Sequence, residues 1–285
     1  MDVVTPLRLD RPRVKKALTL DDWIAAYRND REGNTSTYWA FDEAARRPAW
    51  LASHRTWVED NAWGFGDRAL HHMWLLLVEH LAARRRRVRC LEIGVYKGQV
   101  ISLWALIAAR RGLHVDIAAV SPFAGSEPRF AKNRVARALL KFVDAGYRSD
   151  VEDGNVYAEG AYLADCARIF AEFRLDFGRV ETVRGLSTDA NVLSALADRP
   201  FDLVYIDGDH SEAGAVHDVR AFAPHVTFGG FVVLDDASLA LEMDLPYRGR
   251  PGPSKAAEYL PALGFHNVLN VGHNRVFQRV KVAPF

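Results

Sequence analysis

The sequence predicts an α/β fold in which a doubly wound, mostly parallel sheet ends in an antiparallel hairpin. Apolar runs of strand length alternate with helical patterns along most of the 285 residues, as is typical of parallel sheets covered by helices. Two of these runs end on acidic residues. The last two runs are separated only by the turn Gly272-His273-Asn274, which predicts a hairpin at one edge of the sheet.

The composition excludes several classes of protein. Hydrophobic residues make up 49% and charged residues 26% of the chain, which supports a packed core and excludes general disorder. The net charge of +1 gives no overall attraction to nucleic acid or to an anionic membrane. No run reaches the ~20 apolar residues that span a bilayer. We therefore expect neither a nucleic-acid nor a membrane partner.

The cysteines and the amino-terminal segment indicate the compartment. Cys90 lies in a strand-like run and Cys166 in a helix-like run, so both are expected to be buried free thiols, as in a reducing environment. The first residues do not resemble a secretory signal, because no apolar core follows the basic positions. A cytoplasmic protein is expected.

Residues 1–66 are predicted to form a helical extension ahead of the main domain. Residues 1–18 read as an extended arm, and residues 20–29 as a short helix whose first turn is acidic. Residues 33–39, rich in small hydroxyl side chains, are predicted to be a loop, and helical patterning then continues through Trp57. The many aromatic residues of this extension indicate packing, with a substrate mouth or a subunit interface of a homo-oligomer as alternatives.

The main domain, residues 67–285, opens with a helix predicted over residues 67–86, where apolar side chains recur at helical spacing. Its end carries the basic run Arg84 to Arg87, which favours a solvated helix terminus over phosphate binding. The strands that follow are predicted at residues 88–93, 115–120, 180–183, 201–206, 231–234, 265–271 and 274–280. The helices between them are predicted at residues 101–110, at 189–196 after a cap at Thr188 or Asp189, between 207 and 228, and at 254–263.

Residues 129–177 are predicted to be an insertion, because a crossover between parallel strands needs only about a dozen residues. It contains two helical patterns, at residues 130–143 and 157–173, joined by the polar stretch 148–155. The insertion leaves the sheet at its carboxyl edge, where it can form a cap. A second irregular segment, residues 238–253, follows the fifth strand.

A glycine turn follows the first predicted strand, in the sequence LEIGVYKG of residues 91–98. Gly94 allows a sharp turn and a close approach to a ligand, and Gly98 opens the next helix without a side chain. The spacing differs from the G-x-G-x-x-G fingerprint, which counts against a nicotinamide or flavin cofactor. The carboxylate of Glu92, just before the turn, suits a cationic group of a ligand.

Acidic residues and a histidine follow two neighbouring strands, in YIDGDHS and LDDAS. The carboxyl ends of parallel strands lie side by side, so Asp207, His210, Asp235 and Asp236 are expected to converge. Oxygen ligands suit a hard ion such as Mg²⁺, and a neutral imidazole can take the proton of a hydroxyl that such an ion holds. A turn or capping role is the alternative for each aspartate, and capping is the expected role of Asp209.

Other charged residues have no partner in the sequence pattern. Surface or structural roles are expected for Lys97, His217, His225 and His273. Arg248 and Arg250 lie in the glycine- and proline-rich part of segment 238–253. Solvation is the expected state of both arginines, and binding of an anionic part of a substrate is the alternative.

These motifs resemble those of class I S-adenosylmethionine-dependent methyltransferases. LEIGVYKG resembles their first motif, in which an acidic residue and spaced glycines hold the methionine portion of the cofactor. The pair YIDGDHS and GGFVVLDDAS is similar to the metal-dependent O-methyltransferase branch that includes macrolide-sugar and cephalosporin-biosynthesis enzymes. The resemblance covers roughly residues 90–238 and implies a Rossmann-like sheet.

The resemblance also implies roles for individual residues. Positions that match cofactor-binding residues are Glu92, Gly94 and Gly98. Positions that match ligands of Mg²⁺, or of another hard divalent cation, are Asp207, Asp235 and Asp236. His210 matches the base, with Asp207 beside it in catalysis. Ser121 stands where many members bind both ribose hydroxyls with an acidic residue, and it can bind one without supplying charge. Ser187 matches an adenine contact.

The function implied is an S-adenosylmethionine-dependent, Mg²⁺-assisted O-methyltransferase of natural-product biosynthesis. Its acceptor would be a hydroxyl of a small molecule such as a sugar or a glycosylated natural product. Two alternatives remain. The departure at Ser121 motivates a methyltransferase-fold protein with a non-methylating reaction, and the aromatic extension motivates a non-catalytic binding or scaffold protein. An acidic cluster inside a cleft would argue against the scaffold, whereas a cluster on an open surface would favour it.

Overall fold

The computed structural model describes residues 18–125, 134–158 and 160–280, and it confirms the predicted α/β architecture. Its strands are β1 (Val88–Ile93), β2 (Val115–Ser121), β3 (Val180–Arg184), β4 (Phe201–Ile206), β5 (Val226–Leu234), β6 (Phe265–Val271) and β7 (Asn274–Arg279). They form one seven-stranded sheet in the order β3-β2-β1-β4-β5-β7-β6. Strands β1 to β5 pair in parallel, and β7 pairs antiparallel with both β5 and β6.

The strand order places the ligand-binding edge. From β1 the chain moves outward to β2 and β3, and it then returns to β4 on the other side of β1. Neighbouring crossovers therefore leave β1 and β4 in opposite directions, which opens a crevice at their carboxyl ends. Gly94 follows β1 and Asp207 follows β4, so both lie at this crevice.

Helices cover both faces of the sheet. Those described are α1 (Leu20–Ala26), α2 (Arg31–Ala45), α3 (Ala49–Asp60), α4 (Arg68–Ala82), α5 (Gln99–Arg111), α6 (Arg134–Val143), α7 (Ala145–Asp153), α8 (Tyr162–Glu172), α9 (Ala190–Leu196), α10 (Glu212–Phe222) and α11 (Pro251–Ala256). Trp74 of α4 and Trp104 of α5 pack on one face in the same core as Phe41 of the amino-terminal helices. Val192 and Val219 pack on the other face. The extension thus shares the main core.

The predicted loop at residues 33–39 is wrong, because these residues lie inside α2. The Asp30 side chain accepts a hydrogen bond from the Gly33 N–H and so caps the helix. Asn34 is buried, accepts from the Tyr27 hydroxyl at 2.7 Å and donates to the Glu242 carbonyl at 2.9 Å. Tertiary contacts of this kind outweigh the weak helix propensity of glycine, threonine and serine.

Further boundaries differ from the predictions. The polar stretch 148–155 lies largely in α7, whose cap Asp144 accepts from the Tyr147 N–H. Strand β5 begins at Val226, five residues before the predicted start at 231, and passes through Gly229 and Gly230, with an irregularity in its pairing to β4. Long-range packing decides both cases, since neither segment has a decisive local pattern.

The helix predicted over residues 67–86 ends at Ala82, and its basic run is not simply solvated. Arg85 pairs with the fully buried Asp202 at 2.8 Å, Arg84 pairs with Asp21, and Arg87 pairs with Asp116. A buried carboxylate without such partners would be costly. These arginines therefore tie the bottom of the sheet to the amino-terminal helices.

Some predictions fall outside the described residues, namely the arm at residues 1–17 and the start of the first insertion helix at 130–133. Cys90 and Cys166 are free and buried, as expected. Among the helices of the described ranges, none has the length and apolar character needed to cross a membrane. The domain boundaries at residues 66 and 129–177 stay predictions.

Candidate active site

Two cavities open at the crevice between β1 and β4. The first, of about 380 Å³, is lined by the glycine turn and by the ends of β2 and β3, and we call it the glycine-turn cavity. The second, of about 560 Å³, is lined by the aspartates after β4 and β5 and by residues 63–67, and we call it the acidic cavity. Gly94, Tyr96, Tyr157 and Asp207 line both. The cavities therefore share a wall at the switch point of the sheet.

The structure brings together the four residues that the sequence predicted to converge. The Nε2 atom of His210 lies 3.3 Å from Oδ1 of Asp207 and 3.9 Å from Oδ2 of Asp236. Single ligand atoms of Asp207, His210 and Asp235 lie within 4.8 Å of one another. His210, Asp235 and Asp236 are buried. The cluster therefore lies inside a cleft.

The insertion holds His210 in place. Its Nδ1 atom lies 3.1 Å from the main-chain oxygen of Asp153, at the end of α7. The main-chain N–H of His210 donates to the side-chain oxygen of Asn155 at 3.0 Å, and the side-chain amide of Asn155 donates to Asp209 at 2.6 Å. Asp209 also accepts from the Ser211 N–H. The helix cap itself is Ser211, so Asp209 supports the turn before the helix rather than capping α10.

A second histidine faces the cluster from the β6–β7 hairpin. Nε2 of His273 lies 3.5 Å from Oδ1 of Asp235, and His273 is only 6% exposed. The Asn274 amide donates to the same Asp235 oxygen at 2.7 Å. His273 also forms a second possible ligand set with Asp235 and Asp236. Sequence reasoning, which expected a surface or structural role for His273, did not find this partner, because the antiparallel pairing of β7 with β5 brings the hairpin turn to the end of β5.

Segment 238–253 closes the other side of the cluster. Oδ2 of Asp236 accepts from the Tyr247 hydroxyl at 2.6 Å and from Arg250 Nε at 3.2 Å. Arg250 also donates to the Glu152 carbonyl of α7, so its expected solvation is wrong. Asp236 has φ +51°, a left-handed conformation that costs a non-glycine residue energy and often occurs at functional sites.

Charge and burial shift the pKa values of the cluster. Burial, together with the charges of Asp207 and Asp236, raises the pKa of the Asp235 carboxyl well above its usual range. Burial opposes the charging of His210, but its hydrogen bond to Asp207 and the charges of the three aspartates prevail and raise its pKa to about 9. The cluster therefore favours a proton or a cation among its carboxylates, and these carboxylates favour the charged form of the His210 imidazole.

Glu92 lies in the acidic cavity, beside the cluster. Burial and the neighbouring charge of Asp207 raise the pKa of its carboxyl well above the usual range. Its Oε2 atom has no hydrogen-bond partner among the described residues. A buried polar atom without a partner is costly, so this oxygen suits a donor or a cation supplied by a ligand.

The two glycines of the turn have different surroundings. A Cβ atom on Gly94 would lie 1.7 Å from the carbonyl oxygen of Asp207, so only glycine allows β1 and β4 to end this close together. A Cβ atom on Gly98 would meet Cys166 of α8 at 3.0 Å. Gly94 lines both cavities, whereas Gly98 seats the insertion against α5 and lines neither of them.

The two serines line the glycine-turn cavity. The Ser121 hydroxyl donates to the Val95 carbonyl at 2.7 Å and accepts from the Phe123 N–H at 3.2 Å. A hydroxyl has one donor and two acceptor lone pairs, so Ser121 keeps one lone pair for a ligand. Ser187 lies across the cavity, and its carbonyl is 3.4 Å from His217 Nε2.

Several side chains at the site were not among the sequence candidates. From the insertion, Asp150, Asn155 and Tyr157 line the glycine-turn cavity. Tyr247 reaches Asp236 from segment 238–253. The available signal for Asp150 and Asn155 was the polar stretch 148–155, within an insertion that was expected to cap the edge of the sheet. It was too weak, because polar residues are equally common on solvated helices.

Part of the sequence is similar to known proteins. Residues 91–237, about half of the chain, match a family model described as a methyltransferase domain. The mycinamicin VI 2''-O-methyltransferase of Micromonospora griseorubida is 37% identical over 70 residues, which are 24% of this chain and 18% of that protein. The chain thus matches less than a fifth of the length of this relative.

Solved structures share the fold. The O-methyltransferase NovP superposes with a TM-score of 0.54 at 17% identity, over 74% of this chain and 79% of that chain. An O-methyltransferase from Bacillus cereus in complex with SAH superposes with a TM-score of 0.51 at 13% identity, over 88% of this chain and 99% of that chain. At such identities the likeness concerns the fold.

Proposed function

Because the chain belongs to the methyltransferase-domain family, we propose that it transfers a methyl group from S-adenosylmethionine to a hydroxyl of a small molecule, assisted by Mg²⁺. The observation that carries this proposal is the shared wall. Asp207, with His210 beside it, stands where the glycine-turn cavity meets the acidic cavity. A methyl donor in the first cavity and an acceptor hydroxyl in the second would meet at this wall, close enough for direct transfer.

The glycine-turn cavity would hold the cofactor. Gly94 leaves room at the switch point, Ser187 offers polar atoms at the far end, and Ser121 offers one lone pair. Asp150 lines the same cavity, and we assign to it the charged contact to the ribose hydroxyls that Ser121 lacks. Glu92, in the acidic cavity beside the shared wall, would accept from the methionine ammonium. Gly98 would act indirectly, through the packing of α8 on α5.

The acidic cluster fits a hard divalent cation. Asp207, Asp235 and Asp236 offer oxygen atoms, the ligands that Mg²⁺ prefers. Burial and repulsion from Asp207 and Asp236 raise the pKa of Asp235, and a cation would relieve the repulsion. Bound there, a cation would lower the pKa of an acceptor hydroxyl and orient that hydroxyl. His273 faces the same carboxylates, and its imidazole would help to hold the cluster in place.

His210 would accept the proton of the hydroxyl. The carbonyl of Asp153 is an acceptor only, so Nδ1 of His210 carries a proton and Nε2 faces the cluster. With its pKa at about 9, His210 is a poor base while the carboxylates are uncompensated. Positive charge among them would lower this pKa, so base function and cation binding support each other.

The acceptor is proposed to be a sugar or a glycosylated natural product. The name of the mycinamicin relative supports this class, and the volume of the acidic cavity suits a small molecule. The burial of the cluster in a cleft argues against a scaffold protein. We keep the expected cytoplasmic location and homo-oligomer as proposals, with the aromatic extension as the assembly surface.

The test combines binding with turnover. Calorimetry of the purified chain should detect S-adenosylhomocysteine, and a panel of sugars and glycosides should yield S-adenosylhomocysteine from S-adenosylmethionine in a reaction that a chelator stops. His210→Gln should lose turnover and keep cofactor binding, whereas the control His225→Gln should keep both. Absence of cofactor binding would refute the proposal. Turnover that persists in the presence of a chelator would refute only the proposed role of the cation.

A further inference from the structure

One corner of the acidic cavity carries donors that no carboxylate of the described residues satisfies, and we call it the Trp63 corner. It consists of Trp63, Phe65, Tyr96, Lys97 and Arg168. All but Arg168 line the cavity, and the Arg168 guanidinium lies 5.0 Å from the Trp63 ring centre. The Lys97 ammonium lies 5.0 Å from the centre of the same ring and 5.1 Å from that of Tyr96. Two cations thus flank one indole at a cavity wall.

Neither cation is paired with a carboxylate of the part of the chain that the structure describes. Within the described parts of the chain, no carboxylate lies within ion-pair distance of Lys97 or Arg168, and Lys97 donates only to the Ala62 carbonyl at 3.4 Å. Arg250, another cation that lines this cavity, is paired with Asp236. Most arginines of the amino-terminal helices are also paired, for example Arg55 with Glu59. The unpaired state of the Trp63 corner is therefore a local feature.

A third donor lies at this corner, the indole N–H of Trp63. Trp63 is 7% exposed, and its indole N–H has no hydrogen-bond partner among the described residues. A buried N–H without an acceptor costs free energy, and proteins usually satisfy it. An acid group that accepts from the indole would lie close to both cations.

The corner also presents a flat apolar surface. Phe65 is 71% exposed and stacks on Tyr96 with ring centres 5.5 Å apart and planes inclined by 29°. One face of Phe65 is therefore free to receive a ring. Exposed aromatic faces at a cavity mouth commonly bind planar or sugar rings by such stacking.

From these contacts we infer that the Trp63 corner binds an acid group, carboxylate or phosphate, next to a ring of the acceptor that stacks on Phe65. The inference deepens the proposed function and rests on it for the identity of the bound molecule as the acceptor. The acidic cluster elsewhere in the cavity repels an anion. Charge therefore orients the acceptor, with its acid group at Lys97 and its hydroxyl toward Asp207 and His210.

The experiment uses small probes of the corner itself. The indole N–H signal of Trp63, assigned with Trp63→Phe, is followed by NMR while phenyl phosphate, benzoate or benzyl alcohol is added at constant ionic strength. We expect phenyl phosphate or benzoate to shift this signal and to bind roughly tenfold more tightly than benzyl alcohol, as charge-assisted hydrogen bonds require. A shift with one anion alone identifies phosphate or carboxylate as the group. Equal binding of all three probes, or no shift with either anion, overturns the inference.

Variants separate binding from packing. Lys97→Met keeps the apolar stem and should weaken anion binding about tenfold while it leaves benzyl alcohol and S-adenosylhomocysteine binding unchanged. Arg168→Gln should act in the same direction. The control Lys255→Met removes a lysine that pairs with Glu258 at the surface and should change nothing. Unchanged anion binding in both Lys97→Met and Arg168→Gln contradicts the inference. Calorimetry with S-adenosylhomocysteine tests the proposed function separately, because binding of the probes does not depend on methyl transfer.

Discussion

The Nδ1 atom of His210 lies 3.1 Å from the main-chain oxygen of Asp153, the last residue of α7. A carbonyl oxygen accepts but does not donate, so this contact fixes which ring nitrogen of His210 faces the aspartates. The orientation of the proposed base therefore depends on the insertion, which also lines the proposed cofactor cavity. The proposed cofactor cavity and the orientation of the proposed base thus both depend on the insertion.

Asn155→Ala should uncouple this element from the site. The change removes the acceptor of the His210 N–H and the donor to Asp209, so the turn that carries His210 loses two supports. We expect kcat to fall about tenfold or more, in line with the displacement of a catalytic group, while the thermal midpoint changes little. Steady-state kinetics and a thermal melt measure both. Asn61→Ala is the control, because Asn61 donates only within its own helix end. Unchanged kcat in Asn155→Ala would contradict the coupling.

Gly94→Ala should prevent the ends of β1 and β4 from lying as close together as they do. The new Cβ atom would lie 1.7 Å from the Asp207 carbonyl oxygen, and φ at Gly94 is +97°. Gly112→Ala is a matched control, since Gly112 also has positive φ, +65°, but has no atom within 4 Å of an added Cβ. The control should cost about 1 kcal/mol of unfolding free energy. Gly94→Ala should cost several times more, measured by denaturant unfolding. Equal costs would show that the clash is relieved cheaply.

Addition of Mg²⁺ should stabilise the protein through the acidic cluster. A ligand that binds the folded state at about 100 times its Kd adds about 2.7 kcal/mol, which is readily seen as a higher thermal midpoint. Asp235→Asn resembles the protonated state that burial and repulsion already favour, so it should not destabilise the cation-free protein. It should abolish the Mg²⁺ effect. A stabilisation by Mg²⁺ that survives in Asp235→Asn would place the cation elsewhere.

Acid should destabilise the protein through a buried histidine pair. Nδ1 of His54 lies 3.0 Å from Nε2 of His71, and Nε2 of His54 lies 3.0 Å from the Ser102 hydroxyl. Burial, with the charge of Arg55, lowers the pKa of His54 to about 3, and burial lowers the pKa of His71 well below its usual range. Both are neutral in the folded chain, whereas unfolded histidines bind protons below about pH 6.5.

The direction of the pH dependence of stability follows from this difference in pKa between the folded and the unfolded chain. Stability from the pair is complete above about pH 6.5 and is lost as the pH falls toward 3, at about 1.4 kcal/mol per pH unit for each histidine. Denaturant unfolding at several pH values measures the slope. His71→Leu should reduce it, and the control His114→Asn, at an exposed position, should not. A slope that is the same in His71→Leu and the unchanged chain would contradict the prediction.

Sequence reasoning succeeded where the local pattern and the global fold agree. Strands β1 and β4 were predicted with the limits that the structure gives, because runs buried on both faces are continuously apolar. The convergence of Asp207 with Asp235 also followed, since strands in parallel register end at one edge. Residues 33–39 and 148–155 were misjudged, because their helices are held by caps and long-range contacts rather than by a periodic pattern.

The sequence by itself determined the fold class, the positions of the central strands and the residues that follow them. Only the tertiary structure decided what surrounds them. The contacts of His210 with Asp153, of Asp235 with His273, and of Trp63 with Lys97 and Arg168 join segments far apart in the chain. Strand positions follow from periodicity, which is a local property. The direction in which a loop side chain points depends on the packing of the whole chain, and no local pattern records it.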